Sequence, residues 1–334
     1  MKNFYYSLVL LIIFGVSANA QNGRELKFNN DGKFKIVQFT DTHIKFSTDK
    51  NLNVFDIIKG VIKIEQPDFV ILTGDIITED DPQKGYLLFD SIFTEANVPW
   101  AMVFGNHDSE HNWPREKVGE YLKNLPSCLN NDSGETYGNS NFVLSVYGKD
   151  SKVQALLYCM DSNTYSTLKP KVDGYGWFDF SQVQWYLDKS KKYTLANNGN
   201  PLPALAFFHI PLPEYYNAWK NKVNRPIGTK HEDECSPEIN TGMFAAMLEG
   251  GDVMGTFVGH DHINDYIGVY YNIALAYGRV SKVMQGKKDP KAGGRVIVLK
   301  EGEHSFDTWI RNLNGKKELE CSWPGSFSNV QKKK

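Results

Sequence analysis

The chain has 334 residues, of which 41% are hydrophobic and 13% aromatic, and its formal net charge is −2 at pH 7. This composition supports a substantial buried core and excludes a largely disordered chain. A mildly acidic chain with scattered lysines also lacks the basic stripe of a dedicated nucleic-acid-binding protein.

The N-terminus has the pattern of a secretory signal peptide. Lys2 precedes an apolar stretch over residues 8–16, and Ala18-Asn19-Ala20 is a small-x-small cleavage site. The apolar stretch is shorter than the roughly 20 residues that a membrane-spanning helix needs. We therefore predict that residues 1–20 are removed and that the protein is exported, either periplasmic or secreted.

The predicted elements of the first third alternate between strands and helices. They are a strand at 34–39 (FKIVQF), a helix over about 52–62, a strand at 69–72 (FVIL), a helix around 87–93, a strand at 100–104 (WAMVF) and a helix near 116–122. This β-α-β-α-β order predicts a mostly parallel sheet covered by helices.

The rest of the chain predicts a second sheet. Apolar runs indicate strands at 142–146, 153–159, 205–208, 253–258, 296–299 and 308–310, the first two joined by a turn at 148–150. Long polar loops at 161–175 and 222–238 are candidates for substrate contacts. We predict that residues 21–334 form one domain, with its core over about 25–315, no membrane span and no obligatory protein partner.

Four cysteines are present: Cys128, Cys159, Cys235 and Cys321. Export would permit disulfides, and four cysteines allow three pairings that the sequence does not rank. Cys159 lies in the apolar run ALLYCM, which favours a buried free thiol. The spacings do not match a CxxC zinc site.

Polar side chains that can bind metals follow each strong apolar strand. They are Asp41 and His43, Asp75, Asn106 with His107 and Asp108, His209, and His260 with Asp261 and His262. Ligand sites in α/β sheets lie outside the carboxyl ends of strands, so we expect these groups to converge. If the backbone is extended, Asp41 and His43 face one side together, whereas Asp261 points away from its neighbouring histidines.

These side chains form a mixed set of nitrogen and oxygen donors. Imidazoles, carboxylates and an amide oxygen suit manganese, iron or zinc, and suit calcium alone poorly. Without His107, Asp108 and Asp261, seven candidate ligands remain, which exceeds what one ion usually takes. We therefore predict two divalent or trivalent metal ions that share one bridging carboxylate.

The motifs DTH, GDIIT, GNHD, FHIP and GHDH occur in this order between Asp41 and His262. Together they resemble the calcineurin-like metallophosphoesterase family, whose motifs are DxH, GDxx, GNHD/E, a lone His and GHxH. The resemblance implies an α/β (α+β) fold, a four-layer αββα sandwich with two central mixed β-sheets. It also implies a small phosphorylated substrate.

The resemblance implies a role for each motif residue. It assigns Asp41, His43 and His262 to the first ion, Asp75 as the bridging carboxylate, and Asn106, His209 and His260 to the second ion. His107 lies beside the ligands, and in this family the corresponding histidine contacts the phosphate and is the usual candidate for the general acid.

The segments GHDHINDY, GNHDSEH and YGR at 277–279 resemble a branch related to purple acid phosphatases. The purple enzymes carry GDxxY, whose tyrosine binds ferric iron, whereas Thr78 occupies that position here. We therefore expect no iron–tyrosinate chromophore.

The predicted function is that of an exported, binuclear metal-dependent phosphoesterase acting on phosphomonoesters. Two ions about 3.5–4 Å apart would hold an attacking hydroxide, and His107 would protonate the leaving oxygen. A phosphodiesterase or nucleotide pyrophosphohydrolase with the same centre is the first alternative. A metal-bearing, non-catalytic binding protein is the second.

Further contacts are predicted around this centre. Asp108 and Asp261 either orient histidines or form turns. Arg279 either clamps a phosphate or has a structural role. His111 is close enough to the GNHD motif to lie near the substrate.

Overall fold

The computed structural model describes residues 24–110, 112–132, 134–286 and 290–327. The predicted signal peptide and His111 lie outside these residues.

The described residues contain fourteen strands and six α-helices. The strands are β1 (Leu26–Lys27), β2 (Lys33–Phe39), β3 (Phe69–Thr73), β4 (Trp100–Val103), β5 (Phe142–Tyr147), β6 (Val153–Cys159), β7 (Ala204–Phe207), β8 (Ile227–Thr229), β9 (Val253–Val258), β10 (Asp265–Tyr270), β11 (Ile273–Tyr277), β12 (Gly293–Lys300), β13 (Phe306–Asn312) and β14 (Lys317–Trp323). The helices are α1 (Val54–Glu65), α2 (Gln83–Glu95), α3 (Arg115–Lys123), α4 (Phe180–Ala196), α5 (Glu214–Trp219) and α6 (Met243–Gly250).

The strands form two mixed sheets. One has six strands in the order β14-β13-β12-β2-β3-β4, and the other has eight in the order β1-β5-β6-β7-β9-β11-β10-β8. Strands β2, β3 and β4 are parallel, as the alternating pattern predicted. Strands β6, β7, β9 and β11 form a second parallel block. The carboxyl ends of the strands within each block therefore lie at one edge.

The sheets pack face to face, with helices on both outer sides. Alternate residues of β3 show why: Phe69 and Ile71 lie in the core between the sheets, whereas Val70 and Leu72 lie in the core under α1 and α2. A third core joins the eight-stranded sheet to α4, α5 and α6. A strand buried on both faces must be apolar throughout, which explains the continuous run FVIL. The predicted four-layer αββα sandwich is confirmed.

The core extends beyond the predicted limit near residue 315. Strand β14 pairs with β13 at the edge of the six-stranded sheet. Cys321 and Trp323 from this strand, and Phe327 beyond it, are buried between the sheets. The charged residues of the segment KELECSW partly face solvent. The segment therefore has few apolar residues and lacks the continuous apolar run by which an interior strand is recognised in a sequence.

No helix in the described part of the chain is long and apolar enough to cross a membrane.

Candidate metal centre

The predicted metal ligands meet where the carboxyl edges of the two parallel blocks come together. Gln38, the penultimate residue of β2, connects the sheets there, because its amide donates to Thr73 Oγ1 at 2.8 Å and to the Val258 carbonyl at 3.0 Å. The ligand-bearing turns begin immediately after these strands. Side chains that are far apart in sequence are thereby brought to one place.

Two groups of donor atoms result. Asp41, His43 and His262 form the first, and Asp75, His209 and His260 form the second. Within each group, one donor atom per residue lies within 4.8 Å of the others. This grouping matches the division of ligands that the motifs implied, apart from Asn106, whose possible donor atom is an amide oxygen.

Asp75 connects the two groups. Its Oδ2 lies 3.2 Å from His209 Nε2 in the second group and 3.6 Å from His43 Nε2 in the first. A carboxylate has two oxygens and several lone pairs, so it can serve two cations at once. Asp75 therefore occupies the position that a bridging ligand requires.

The turns that carry the ligands are left-handed rather than extended. The φ angles are 54° at Asp41, 44° at His43, 55° at Asp75 and 76° at His260. The expectation that Asp41 and His43 share a side through extended alternation is therefore wrong, although both reach the same group. Left-handed non-glycine residues are uncommon and cluster at functional sites, because surrounding structure must stabilise them.

Gly259, directly before the paired histidines, allows a close approach of two chain segments. A Cβ atom at this position would collide with the hydroxyl of Thr40 and would lie 2.6 Å from Asp41 Oδ2. The absence of a side chain lets the His260 N–H approach the Asp41 carboxylate at 3.1 Å. The glycine thus serves the first donor group as well as the turn.

His209 is held in one orientation. Its Nδ1 donates to the Thr73 carbonyl at 2.7 Å, which leaves Nε2 to face Asp75. The following N–H, that of Ile210, donates to Ser162 Oγ at 2.9 Å. Such contacts to the second nitrogen are how proteins orient metal-binding imidazoles.

The charges at the centre favour cation binding. Burial lowers the pKa of His43 to about 3, and burial together with the charge of His209 does the same for His260. Burial by itself would lower the pKa of His209, but Asp75 raises it to about 9. Burial likewise opposes ionisation of Asp41 and Asp75, yet neighbouring histidines hold both pKa values well below 3.8. Ionised carboxylates thus lie among imidazoles that a cation would bind in their neutral form.

The side-chain amide of Asn106 shows whether the site suits a metal ion. Its side-chain Oδ1 is buried and accepts no hydrogen bond from any residue that the structure describes. Its Nδ2 donates to the Tyr165 hydroxyl at 3.3 Å, which distinguishes the two ends of the amide. A buried carbonyl oxygen without a donor is unfavourable unless a cation or another group satisfies it. Together with the nitrogen and carboxylate donors, this oxygen fits a metal site.

His107 lies beside the two groups and belongs to neither. Its ring centroid is 5.5 Å from that of His43, and its backbone N–H donates to Asp75 Oδ1 at 2.9 Å. Its Nδ1 lies 2.5 Å from Glu110 Oε2, and Tyr165 donates to the other oxygen of Glu110 at 2.9 Å. Glu110 and Tyr165 were not predicted; the i, i+3 spacing of His107 and Glu110 was the available signal for the first.

The family model for calcineurin-like phosphoesterases matches residues 34–264. The chain belongs to the calcineurin-like phosphoesterase family.

Relatives with curated names place the chain near the purple acid phosphatases. It is 32% identical to the Arabidopsis thaliana protein named "Probable inactive purple acid phosphatase 29", over 95% of this chain and 90% of that protein. It is 29% identical to the Saccharomyces cerevisiae protein named "Phosphatase DCR2", over 87% of this chain and 56% of that protein. A dimetal phosphatase from Danio rerio has the same fold, with a TM-score of 0.56, 14% identity, and coverage of 86% of this chain and 98% of that one.

Two aspartates of this phosphoesterase hold neighbouring chain segments in place. Asp108 accepts from the backbone N–H groups of Gly105, Asp75 and Ile76 at 2.7–2.8 Å. Its contacts are those of a turn-forming residue that positions Asp75. Asp261 accepts from the Tyr277 hydroxyl at 2.5 Å and from the Cys235 N–H at 3.3 Å.

Arg279 does not have the surroundings of a phosphate clamp. Its guanidinium is buried, forms an ion pair with Asp265 and lies 3.2 Å from Glu318. A buried guanidinium needs such partners, so its charge is already compensated inside the protein. The predicted substrate contact is replaced by the structural alternative.

Lys282, three residues later, is a cation near the centre that sequence reasoning missed. The preceding residue, Ser281, donates its N–H to the Thr40 carbonyl at 3.0 Å, next to Asp41. Burial lowers the pKa of Lys282 to about 8, although Asp41 and Asp75 act in the opposite direction. The polar loop around it offered no periodic signal.

The four cysteines are free thiols. Cys128, Cys159 and Cys321 are buried, as predicted for Cys159, whereas Cys235 is partly exposed. No disulfide of the three possible pairings forms within the described chain.

Proposed function

We propose that this phosphoesterase uses two metal ions to hydrolyse phosphomonoesters. The observation that carries the proposal is the position of Asp75, whose Oδ2 lies within 3.6 Å of imidazole nitrogens from both donor groups. A ligand shared by two ions must face metal-binding groups on both sides, and Asp75 does so.

The residues would divide between the ions as follows. Asp41, His43 and His262 would hold the first, and Asn106, His209 and His260 the second, with Asp75 shared. When bound, manganese, iron or zinc ions would supply Lewis-acid polarisation of a phosphoryl oxygen and a nucleophile at neutral pH. Asp41 and Asp75 are buried, so solvent screens their attraction to a cation only weakly.

His107 would donate a proton to the leaving oxygen. Its Nδ1 is engaged by Glu110 at 2.5 Å, so Nε2 is the nitrogen available to a substrate. Glu110 fixes the orientation of the ring, and Tyr165 fixes Glu110 at 2.9 Å. His107 is thus held beside the two sets of metal-binding atoms and remains free to donate a proton, because it is not itself a metal ligand.

A second candidate function is metal binding without turnover. The name of the Arabidopsis relative, which includes the word inactive, favours it. Against it, every motif position of this chain retains a residue able to bind metal, and His107 is retained and oriented.

An assay of the metal-stripped mature protein separates these functions. Chromogenic phosphomonoester and phosphodiester substrates would be tested with manganese, zinc or iron restored, alongside an Asp75→Asn variant prepared identically. Metal-dependent monoester turnover that the variant lacks is expected. Preferred diester turnover would replace the monoester assignment, and bound metal without turnover of any phosphate ester would support the binding protein. Equal turnover by the variant would reveal a contaminating enzyme.

We also propose that the protein is exported after cleavage before Gln21. The lysine, apolar stretch and Ala-Asn-Ala site of residues 1–20 support this. Expression of the full chain should give an extracytoplasmic product whose N-terminal residue is Gln21. A full-length product retained inside the cell would contradict the proposal.

A further inference from the structure

A third set of metal-binding side chains lies next to the centre. Cys235, His260 and Asp261 each offer one ligand atom, and the three atoms lie within 4.8 Å of one another. His260 is shared with the second donor group, whereas Cys235 and Asp261 belong to neither group described above. A thiol, an imidazole and a carboxylate are therefore gathered at one point.

Several hydrogen bonds hold the loop that carries Cys235 in place. The Cys235 N–H donates to both oxygens of Asp261 at 3.3 Å. Upstream in the same loop, Glu232 Oε1 accepts from the Ile263 N–H at 2.7 Å. Immediately before Cys235, Glu234 Oε1 accepts from the Tyr266 hydroxyl at 2.9 Å. The thiol is thus positioned by contacts to the segment that follows the paired histidines.

His260 has a nitrogen available for a further ligand. Its Nδ1 lies 3.2 Å from His209 Nε2, on the side of the second donor group. Its Nε2 is buried and has no hydrogen-bond partner among residues 24–110, 112–132, 134–286 and 290–327. An imidazole can ligate through either nitrogen. The partly exposed Cys235 gives a cation from solvent a route to the set.

We propose that Cys235, His260 and Asp261 form an inhibitory site for a thiophilic divalent cation such as zinc or cadmium. A sulfur, nitrogen and oxygen set with three protein ligands suits these ions, whereas magnesium and calcium prefer oxygen alone. On binding, the thiol proton is released to solvent and the sulfur ligates as thiolate. A neutral imidazole has one nitrogen lone pair. When His260 binds this ion through Nε2, its proton sits on Nδ1 and the residue no longer serves the second donor group, so occupancy lowers turnover.

The environment of Cys235 keeps its thiol protonated when no cation is bound. Burial, together with Asp261, raises the pKa of the Cys235 thiol to about 12. A thiol with a raised pKa is a poor nucleophile toward oxidants. A cation overcomes this by displacing the proton directly.

Cadmium titration of the manganese-loaded protein tests the site. Wild type should gain the ultraviolet sulfur-to-cadmium charge-transfer absorption, and the Cys235→Ser variant should lack it while retaining manganese-supported turnover. Cys128→Ser is the matched control, because that thiol is buried and its hydrogen bond to Asn130 at 3.2 Å can be kept by serine. This control should show the wild-type absorption.

Inhibition gives an independent readout. The cadmium concentration for half-inhibition should rise in Cys235→Ser by at least the roughly 10–100-fold that loss of an outer-shell partner costs a metal site. Absent absorption in wild type, or equal absorption in Cys235→Ser, would overturn the site, and equal inhibition of both proteins would overturn its inhibitory role. The absorption measurement requires no turnover, so it distinguishes failure of this site from failure of the proposed activity.

Discussion

His107 and Glu110 are joined by a 2.5 Å hydrogen bond between Nδ1 and Oε2. The second oxygen of Glu110 accepts from the Tyr165 hydroxyl at 2.9 Å, and that hydroxyl accepts from Asn106 Nδ2 at 3.3 Å. One tyrosine from the long loop after β6 therefore contacts both the carboxylate that orients His107 and the amide whose oxygen fits the metal site. Tyr165 therefore links the side chains of Glu110 and Asn106, which belong to the proposed proton-donor and metal-binding parts of the site.

Replacing Glu110 with Gln should reduce kcat/KM most for substrates with poor leaving groups. A basic alkoxide needs proton donation in the transition state, whereas a nitrophenolate does not, so a disoriented His107 affects the two classes differently. We expect a loss of about 10-fold or more for alkyl phosphates, part of the roughly 10²–10⁴-fold that general acid catalysis supplies. The measurement is kcat/KM across a series of leaving groups, with Glu116→Gln on the exposed side of α3 as control. A uniform loss across the series would assign Glu110 a merely structural role.

Replacing His107 with Ala should lower turnover by about 10²–10⁴-fold and leave bound metal unchanged. The residue contacts Asp75 through its backbone N–H, which alanine retains. Metal content and turnover would be measured on the same preparation, with Asn106→Ala as the counterpart that loses metal. Loss of metal from His107→Ala equal to that from Asn106→Ala would refute the assignment of His107 as a non-ligand.

Replacing Lys282 with Gln should raise KM for phosphate esters. The ammonium lies near Asp41 and Asp75, where a phosphate dianion would bind. A hydrogen bond to a charged group is typically worth about 1.5–3 kcal/mol, so kcat/KM should fall roughly 10–100-fold. Lys282→Arg should retain most of the affinity, and Lys63→Gln on the exposed face of α1 should have no effect. An unchanged KM in Lys282→Gln would remove this residue from the substrate site.

Replacing Glu65 with Gln should destabilise the fold in a pH-dependent way. Burial opposes ionisation of Glu65, but hydrogen bonds from Trp309 at 2.9 Å and Arg311 at 2.6 Å lower its pKa below 4.5. A lowered pKa in the folded state stabilises the protein above the unfolded value, and this stabilisation disappears as pH falls through the folded value.

The free energy of unfolding should therefore fall by about 1–3 kcal/mol at pH 7 in Glu65→Gln. The difference from wild type should shrink as the pH is lowered below 4.5. Urea unfolding of the metal-free proteins measures this difference in the free energy of unfolding, with the exposed Glu95→Gln at the end of α2 as control. A difference that stays constant or grows toward acidic pH would contradict the assignment.

The ends of the strands could be predicted from the sequence because their signal is local. Apolar runs such as FVIL reflect burial on both faces of a strand, and the polar residues that follow mark its carboxyl end. The order of the motifs then indicated the division of ligands between two groups. Edge elements such as β14 were missed, because a half-exposed strand has few apolar positions.

The tertiary structure decided what depends on contacts between distant segments. His43 and His262 are 219 residues apart, yet their Nε2 atoms lie 3.2 Å from each other. The left-handed turns at Asp41 and His43 were hidden, since a backbone conformation held by tertiary hydrogen bonds leaves no periodic trace in the sequence.

Tertiary contacts also decided the roles of Arg279, Lys282 and Cys235. The sequence left Arg279 as either a phosphate clamp or a structural residue, and its ion pair with buried Asp265 shows the structural role, while Lys282 lies near the centre. Cys235 meets Asp261 only because one loop folds over another. Residue types and their order determined which chemistry this chain can carry, and packing determined which of its charged and polar groups are available to perform it.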